Sequence, residues 1–195
     1  MAVDRPRVAA LVRELLVAIG EDPERAGLEQ TPARVADAYA EFFSGIGADA
    51  GAPLERTISI ADAGEHDVLP SGAVLLRDVR FRSVCEHHLL PFVGTAHLAY
   101  LPGTQLVGLG ALPRVVDILA SRPQVQERLG EQIADVIADR LDARGVLVVL
   151  DAVHGCVTSR GERQPAASTL TIAARGELAE PAARAELIAL IAGRA

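Results

Sequence analysis

The chain has 195 residues, enough for one domain with a helical appendage and a sizeable core. Half of it is hydrophobic, but aromatics make up only 3% and Trp is absent, so that core must be built from Ala, Val, Leu and Ile. The net charge of −7 argues against a general nucleic-acid or anionic-membrane surface, while leaving room for a local basic pocket.

No early stretch has the basic, apolar and small-residue order of a signal peptide, and no apolar run reaches membrane-spanning length. A cytoplasmic protein without nucleic-acid or membrane partners is expected. There, two cysteines read as metal ligands rather than as a disulfide.

In chain order, Val8, Leu11, Val12, Leu15, Leu16 and Ile19 recur at helical spacing, and Gly20 stands where a helix-ending glycine belongs. Thr31 as N-cap and Pro32 at the first helical position announce a second helix with Val35, Tyr39, Phe42 and Phe43 on its apolar side. Residues 1–47 are therefore expected as a helical N-terminal region. Residues 48–72, rich in Gly, Ala, Asp and Pro, form a connector with one strand-like run at 57–60.

From Val74 the period changes to two. Val79, Phe81, Ser83 and Cys85 share one strand face, with Arg80 and Arg82 on the other. A second strand runs from about Phe92 to Leu101. Two helices follow, one carrying Leu112, Val115, Val116 and Leu119, the next carrying Val125, Leu129, Ile133, Val136, Ile137 and Leu141. An apolar strand over Val146–Val157, a last strand near Ser168–Ala174 and a C-terminal helix over 181–192 complete a main domain of residues 73–195. The class is α+β, in the order strand–strand–helix–helix–strand–strand.

The chemistry concentrates in two short segments. Cys85-Glu86-His87-His88 and His154-Gly155-Cys156 hold both cysteines and three of the five histidines. Cys85 and His88 make a C-x-x-H pair, and Cys156 closes a Cys2His set suited to a soft-to-borderline ion, Zn²⁺ above others. Three protein ligands leave a fourth tetrahedral position open, the pattern of catalytic sites.

A strand through 146–157 would project His154 and Cys156 from the same sheet face. Cys85 and His88 need a turn, for which Leu89-Leu90-Pro91 supplies a break. His87 and His154 remain as acid–base candidates. His66 and His97 read as ordinary polar groups.

Gly108-Leu109-Gly110 lacks the third glycine of a dinucleotide loop. Gln124-Val125-Gln126-Glu127 starts the second central helix after Pro123, where Glu127 either complements the helix dipole or, with Gln126, grips a heterocycle. Arg34, Arg114 and Arg160 are singly unremarkable, but together they could form a positive pocket.

Several stretches in order resemble the GTP cyclohydrolase I family: Glu29-Gln30-Thr31-Pro32-Ala33-Arg34-Val35, Ser83-Val84-Cys85-Glu86-His87-His88, Gly108-Leu109, Arg122 through Leu129, and Asp151 through Cys156 with Arg160-Gly161. The resemblance implies the tunnelling fold, an antiparallel four-stranded sheet with two central helices, assembled as a toroidal homodecamer with sites shared between subunits. It implies Cys85, His88 and Cys156 as zinc ligands, His87 and His154 as catalytic histidines, and Gln126 and Glu127 on the guanine. Arg34, Arg114 and Arg160 would face the triphosphate of GTP. The implied reaction is hydrolysis of the guanine imidazole ring at C8, loss of formate, and reclosure to 7,8-dihydroneopterin triphosphate.

Two departures bear on substrate. Where the family has Ser-Lys after Gly-Leu, this chain has Gly110-Ala111, and Glu162 follows Arg160-Gly161 where an aliphatic residue is usual. Loss of one cation from a polyphosphate pocket removes a charge-assisted bond of about 1.5–3 kcal/mol. The alternatives are a paralogue opening a purine with fewer or no phosphates, and a non-catalytic zinc-containing binding or regulatory protein of the same fold. Retention of His87 and His154 argues against the last.

Overall fold

A computed structural model describes residues 3–60 and 72–193. His66 and part of the expected connector lie outside them. Two helices come first, α1 (Arg5–Ala18) and α2 (Thr31–Phe42), packed on each other. Asp4 caps α1 by accepting from the Arg7 N–H, and Gly20 follows it at φ 90°, a conformation glycine adopts without steric cost. The N-cap of α2 is Gln30 rather than Thr31, so Thr31 is already helical and Pro32 lies in the first turn.

Strand β1 (Thr57–Ser59) pairs antiparallel with β4 (Gln105–Val107) as a separate two-stranded sheet. The main sheet holds β2 (Val74–Cys85), β3 (Pro91–Leu101), β5 (Pro123–Gln124), β6 (Gly145–His154) and β7 (Thr169–Gly176), in the spatial order β5-β2-β3-β6-β7. Among the described residues it therefore has five strands where four antiparallel ones are expected from the sequence. The extra member is two residues long and runs parallel, pairing Pro123 and Gln124 with Val84 and Cys85. Strand β2 is bulged between Leu76 and Val79, where Asp78 takes φ 62° and its N–H donates to Nδ1 of His97 at 3.3 Å.

Helices α3 (Ala111–Ala120) and α4 (Gln126–Leu141) cover one face of the sheet. Their stripes of Leu112, Val115, Val116 and Leu119, and of Leu129, Ile133, Ile137 and Leu141, meet Phe81, Phe92, Leu98, Val146, Val148 and Leu150 in the main core. On the opposite face, Leu147 and Val149 join Leu178 and Leu187 beneath α6 (Pro181–Ala192). Strand β6 is thus buried on both sides, which is why its sequence reads as a continuous apolar run rather than an alternation. Among the described residues no helix is long and apolar enough to cross a membrane.

Candidate metal centre and active site

Two chain reversals bring the cysteines together. At the end of β2, the Cys85 N–H donates to the Leu90 carbonyl at 2.8 Å, and the Leu89 N–H returns to the Cys85 carbonyl at 2.9 Å. This tight turn, with Leu89 at φ 52°, lets positions 85 and 88 converge. Pairing with β5 pins its base, since the Glu86 N–H reaches the Gln124 carbonyl at 3.0 Å.

The second reversal corrects the sequence reading of a strand through Val157. Strand β6 stops at His154, and Gly155–Thr158 forms a single helical turn, α5, that carries Cys156. His154 and Cys156 therefore do not share a sheet face by strand alternation. Gly155 makes the turn possible, because a Cβ there would sit 2.8 Å from the Pro91 carbonyl oxygen.

The donor atoms of Cys85, His88 and Cys156 lie within 4.8 Å of one another. Cys85 is buried, Cys156 half-buried and His88 exposed, so the group sits in a wall and opens on one side. Burial and the adjacent Cys85 thiol push the Cys156 thiol up, while the Arg160 guanidinium acts in the opposite direction. Both cysteines are free. Two sulfurs and an imidazole this close fit zinc by donor chemistry, and the thiols shed their protons when such a cation binds between them.

His154 stands beside this group. Its ring stacks on Phe92, centroids 4.6 Å apart and planes 6° apart, and its Nε2 meets Oε1 of Gln126 at 2.7 Å. Burial pushes its pKa below the ordinary histidine value, and the Glu127 carboxylate pulls the other way. Gln126 is 1% exposed, and its nitrogen is engaged by the Leu150 and Thr169 carbonyls and the Thr171 hydroxyl. Glu127, one residue on in the first turn of α4, is exposed.

His87 is 63% exposed at its side chain, with Nε2 3.9 Å from the Glu86 carboxylate. Glu86 is ion-paired with Arg128, whose Nε donates to Oε1 of the buried Gln124. Glu86 and Arg128 escape a sequence reading, because they act through a contact between residues 42 apart. Of the three arginines, Arg160 is near enough for its charge to reach Cys156. Arg34 on α2 and Arg114 on α3 are exposed on separate elements.

Residues 8–192 match the family model described as GTP cyclohydrolase I. A protein of Leifsonia xyli named GTP cyclohydrolase 1 is 63% identical over 188 residues, covering 96% of this chain and 95% of its own. Proteins of that name from Rhodopirellula baltica and Thermobifida fusca are 50% and 48% identical, over 97% and 98% of this chain and 80% and 90% of theirs. By a match that runs through both Cys/His segments and nearly the whole chain, the protein belongs to the GTP cyclohydrolase I family.

Proposed function

We propose that the chain is a hydrolase that opens the imidazole ring of GTP at C8, releases that carbon as formate, and recloses the product as 7,8-dihydroneopterin triphosphate. The observation that carries this reading is the convergence of Cys85, His88 and Cys156 beside His154, within a family match covering residues 8–192. Cys85, His88 and Cys156 would hold zinc, which when bound supplies Lewis-acid polarisation and a water acidified toward neutrality. His87, exposed on the ligand turn, exchanges protons with the opening base. His154 does so at the end of β6. Glu127 accepts from the N–H and NH2 edge of guanine, in the first turn whose preceding residue, Gln126, contacts His154.

Arg34, Arg114 and Arg160 face the triphosphate. Their spread over α2, α3 and the segment after α5 supports a site assembled between subunits of a homodecamer. The same reading takes the sheet and its two central helices as a tunnelling fold in residues 73–195, preceded by a helical region over 1–47 and a connector over 48–72, in a cytoplasmic enzyme of pterin biosynthesis.

Gly110-Ala111 favours a second reading, a purine substrate with fewer phosphates. A Cβ at Gly110 would meet nothing within 4 Å, so a serine there is sterically free and the absent Ser-Lys is not forced by packing. The test is turnover of GTP, GDP, GMP and guanosine by the zinc-loaded protein, followed as formate and as oxidised-pterin fluorescence. Turnover of GTP above the others is expected, and Ala111→Lys should lower KM for GTP by about tenfold, the value of one charge-assisted contact. Preference for a less phosphorylated purine would move the assignment to the second reading. Absence of turnover on all four would end both.

A further inference from the structure

We propose that Arg128 is a positioning residue that fixes the turn carrying His87 and His88 to the start of α4, and so sets how a metal held by Cys85, His88 and Cys156 stands to a purine held at Glu127. The proposal rests on the reading of those residues as the zinc and guanine sites.

The turn is attached in two ways. Its backbone is held at the root, where Cys85 pairs with Gln124 of β5 and the Glu86 N–H donates to the Gln124 carbonyl at 3.0 Å. Beyond the root, Glu86, His87 and His88 are exposed. Among the described residues, the ion pair of Glu86 with Arg128 is what ties a side chain of this stretch to another element.

An exposed ion pair by itself adds little, because water screens it and both side chains lose freedom. Here the guanidinium is itself anchored. Nε of Arg128 donates to Oε1 of Gln124 at 3.3 Å, and Gln124 is 2% exposed. The Gln124 nitrogen donates in turn to the Leu119 carbonyl at 3.0 Å and to Oε1 of Gln132 at 2.8 Å. A carbonyl can only accept and a guanidinium can only donate, so both ends of this amide agree on its orientation.

The planar fork of Arg128 therefore faces two ways at once, with Nε on Gln124 and a terminal nitrogen on Glu86. A lysine has one nitrogen and no fixed plane, and it cannot hold both directions together. Arg128 also follows Glu127 directly on α4. The residue proposed to take the guanine edge and the residue that grips the metal-bearing turn are thus consecutive, so backbone geometry fixes their separation. The second oxygen of the Glu86 carboxylate lies 3.9 Å from Nε2 of His87, which places that histidine in the same frame.

The test uses the zinc-loaded full chain with Arg128→Met, which removes the donors and keeps an unbranched side chain. Amides of the 86–89 turn should exchange about tenfold faster by mass spectrometry, while those of β6 keep their wild-type protection. The zinc dissociation constant, read by chelator competition, should rise about tenfold, and the visible spectrum of the cobalt-substituted protein should change with the ligand geometry. For GTP, kcat should fall about 10–100-fold, as for reacting groups held out of place.

Arg128→Lys should recover little of this, and full recovery would show that charge alone acts, against the proposal. Glu86→Met should reproduce the faster exchange, and its loss of zinc affinity should not add to that of Arg128→Met in the double variant. Additive losses, or unchanged exchange and cobalt spectrum in Arg128→Met, would overturn the proposal. If Arg128→Met does not fold, exchange and cobalt spectrum in Glu86→Met decide alone. If the wild-type protein binds zinc but turns over no guanine nucleotide, the functional reading fails, and exchange and zinc affinity still decide whether Arg128 holds the turn.

Discussion

Gly155 sets how closely the Cys156 turn approaches the start of β3. A methyl group there would press on the Pro91 carbonyl oxygen from 2.8 Å, a contact real Cβ atoms do not make, and backbone has little freedom to withdraw. Gly155→Ala is expected to push α5 outward and displace the Cys156 sulfur. Zinc affinity, read by competition with a chromophoric chelator, should fall about 10–100-fold, as for loss of a residue that orients a ligand. Unchanged affinity would mean that the turn tolerates the shift.

What the sequence disclosed at this scale follows from separation along the chain. The ligand set was legible because Cys85 and His88 are three apart and the second cysteine has a histidine two residues away. The hydrogen bond of Gln126 to His154 spans 28 positions, and the pairing of Glu86 with Arg128 spans 42, so no spacing rule reaches either. The sequence reading also placed His154 and Cys156 on one strand face. It missed that a glycine between them allows the chain to leave extended geometry at that point.

Strands β3 and β4 are joined through a side chain as well as by the chain itself. The Tyr100 hydroxyl, on a residue 1% exposed, accepts from the Val107 N–H at 3.4 Å. Burial pushes the phenol pKa above its ordinary value of 10.0, and the bond from Val107 pulls it part of the way back. The folded state therefore holds this proton more tightly than the unfolded chain does. Its contribution to stability is intact below about pH 10 and declines as pH rises past the unfolded value. In denaturant titrations, Tyr100→Phe should lack this part of the alkaline decline, so the difference between wild type and variant shifts in the variant's favour above about pH 10. A difference independent of pH would contradict the assignment.

Long elements were readable because their periods persist. The stripes of α3 and α4 appear where the spacing puts them, except that Val125 caps α4 in extended geometry instead of joining it, and the apolar run of β6 appears but ends at His154, short of the expected Val157. Strand β5, two residues long and parallel to β2, has no period at all and exists only because the α3–α4 connection passes along the sheet edge. The start of α2 shifted by one because Gln30 takes the cap position without any side-chain capping bond, so the backbone rather than the capping preference of Thr31 sets the boundary.

Taken as a molecule, the single chain leaves apolar surface uncovered. On α1 and its C-cap, Leu11, Leu15, Val17 and Ile19 are 55–66% exposed, and on the outer sheet face Val93, Leu170 and Ile172 are open as well. Surfaces of this kind mark contact regions, and an assembly would cover them. Light scattering at micromolar concentration is expected to give a mass several times that of the 20.5 kDa chain. Leu15→Glu should shift the mass downward without unfolding the monomer, because Leu15 contributes little to either core cluster. A wild-type monomer would contradict an assembled site.

The double burial of β6 also separates two clocks. Its amides are bonded between β3 and β7 and sealed by side chains on both faces, so hydrogen exchange there must wait for the whole sheet to come apart. The turn at 86–88 is exposed and needs only local opening to exchange. The stretch of β6 up to Leu150 is thus one of the slowest parts of the molecule and the turn carrying His88 one of the faster ones, so that turn can open and close many times while the sheet behind it stays shut.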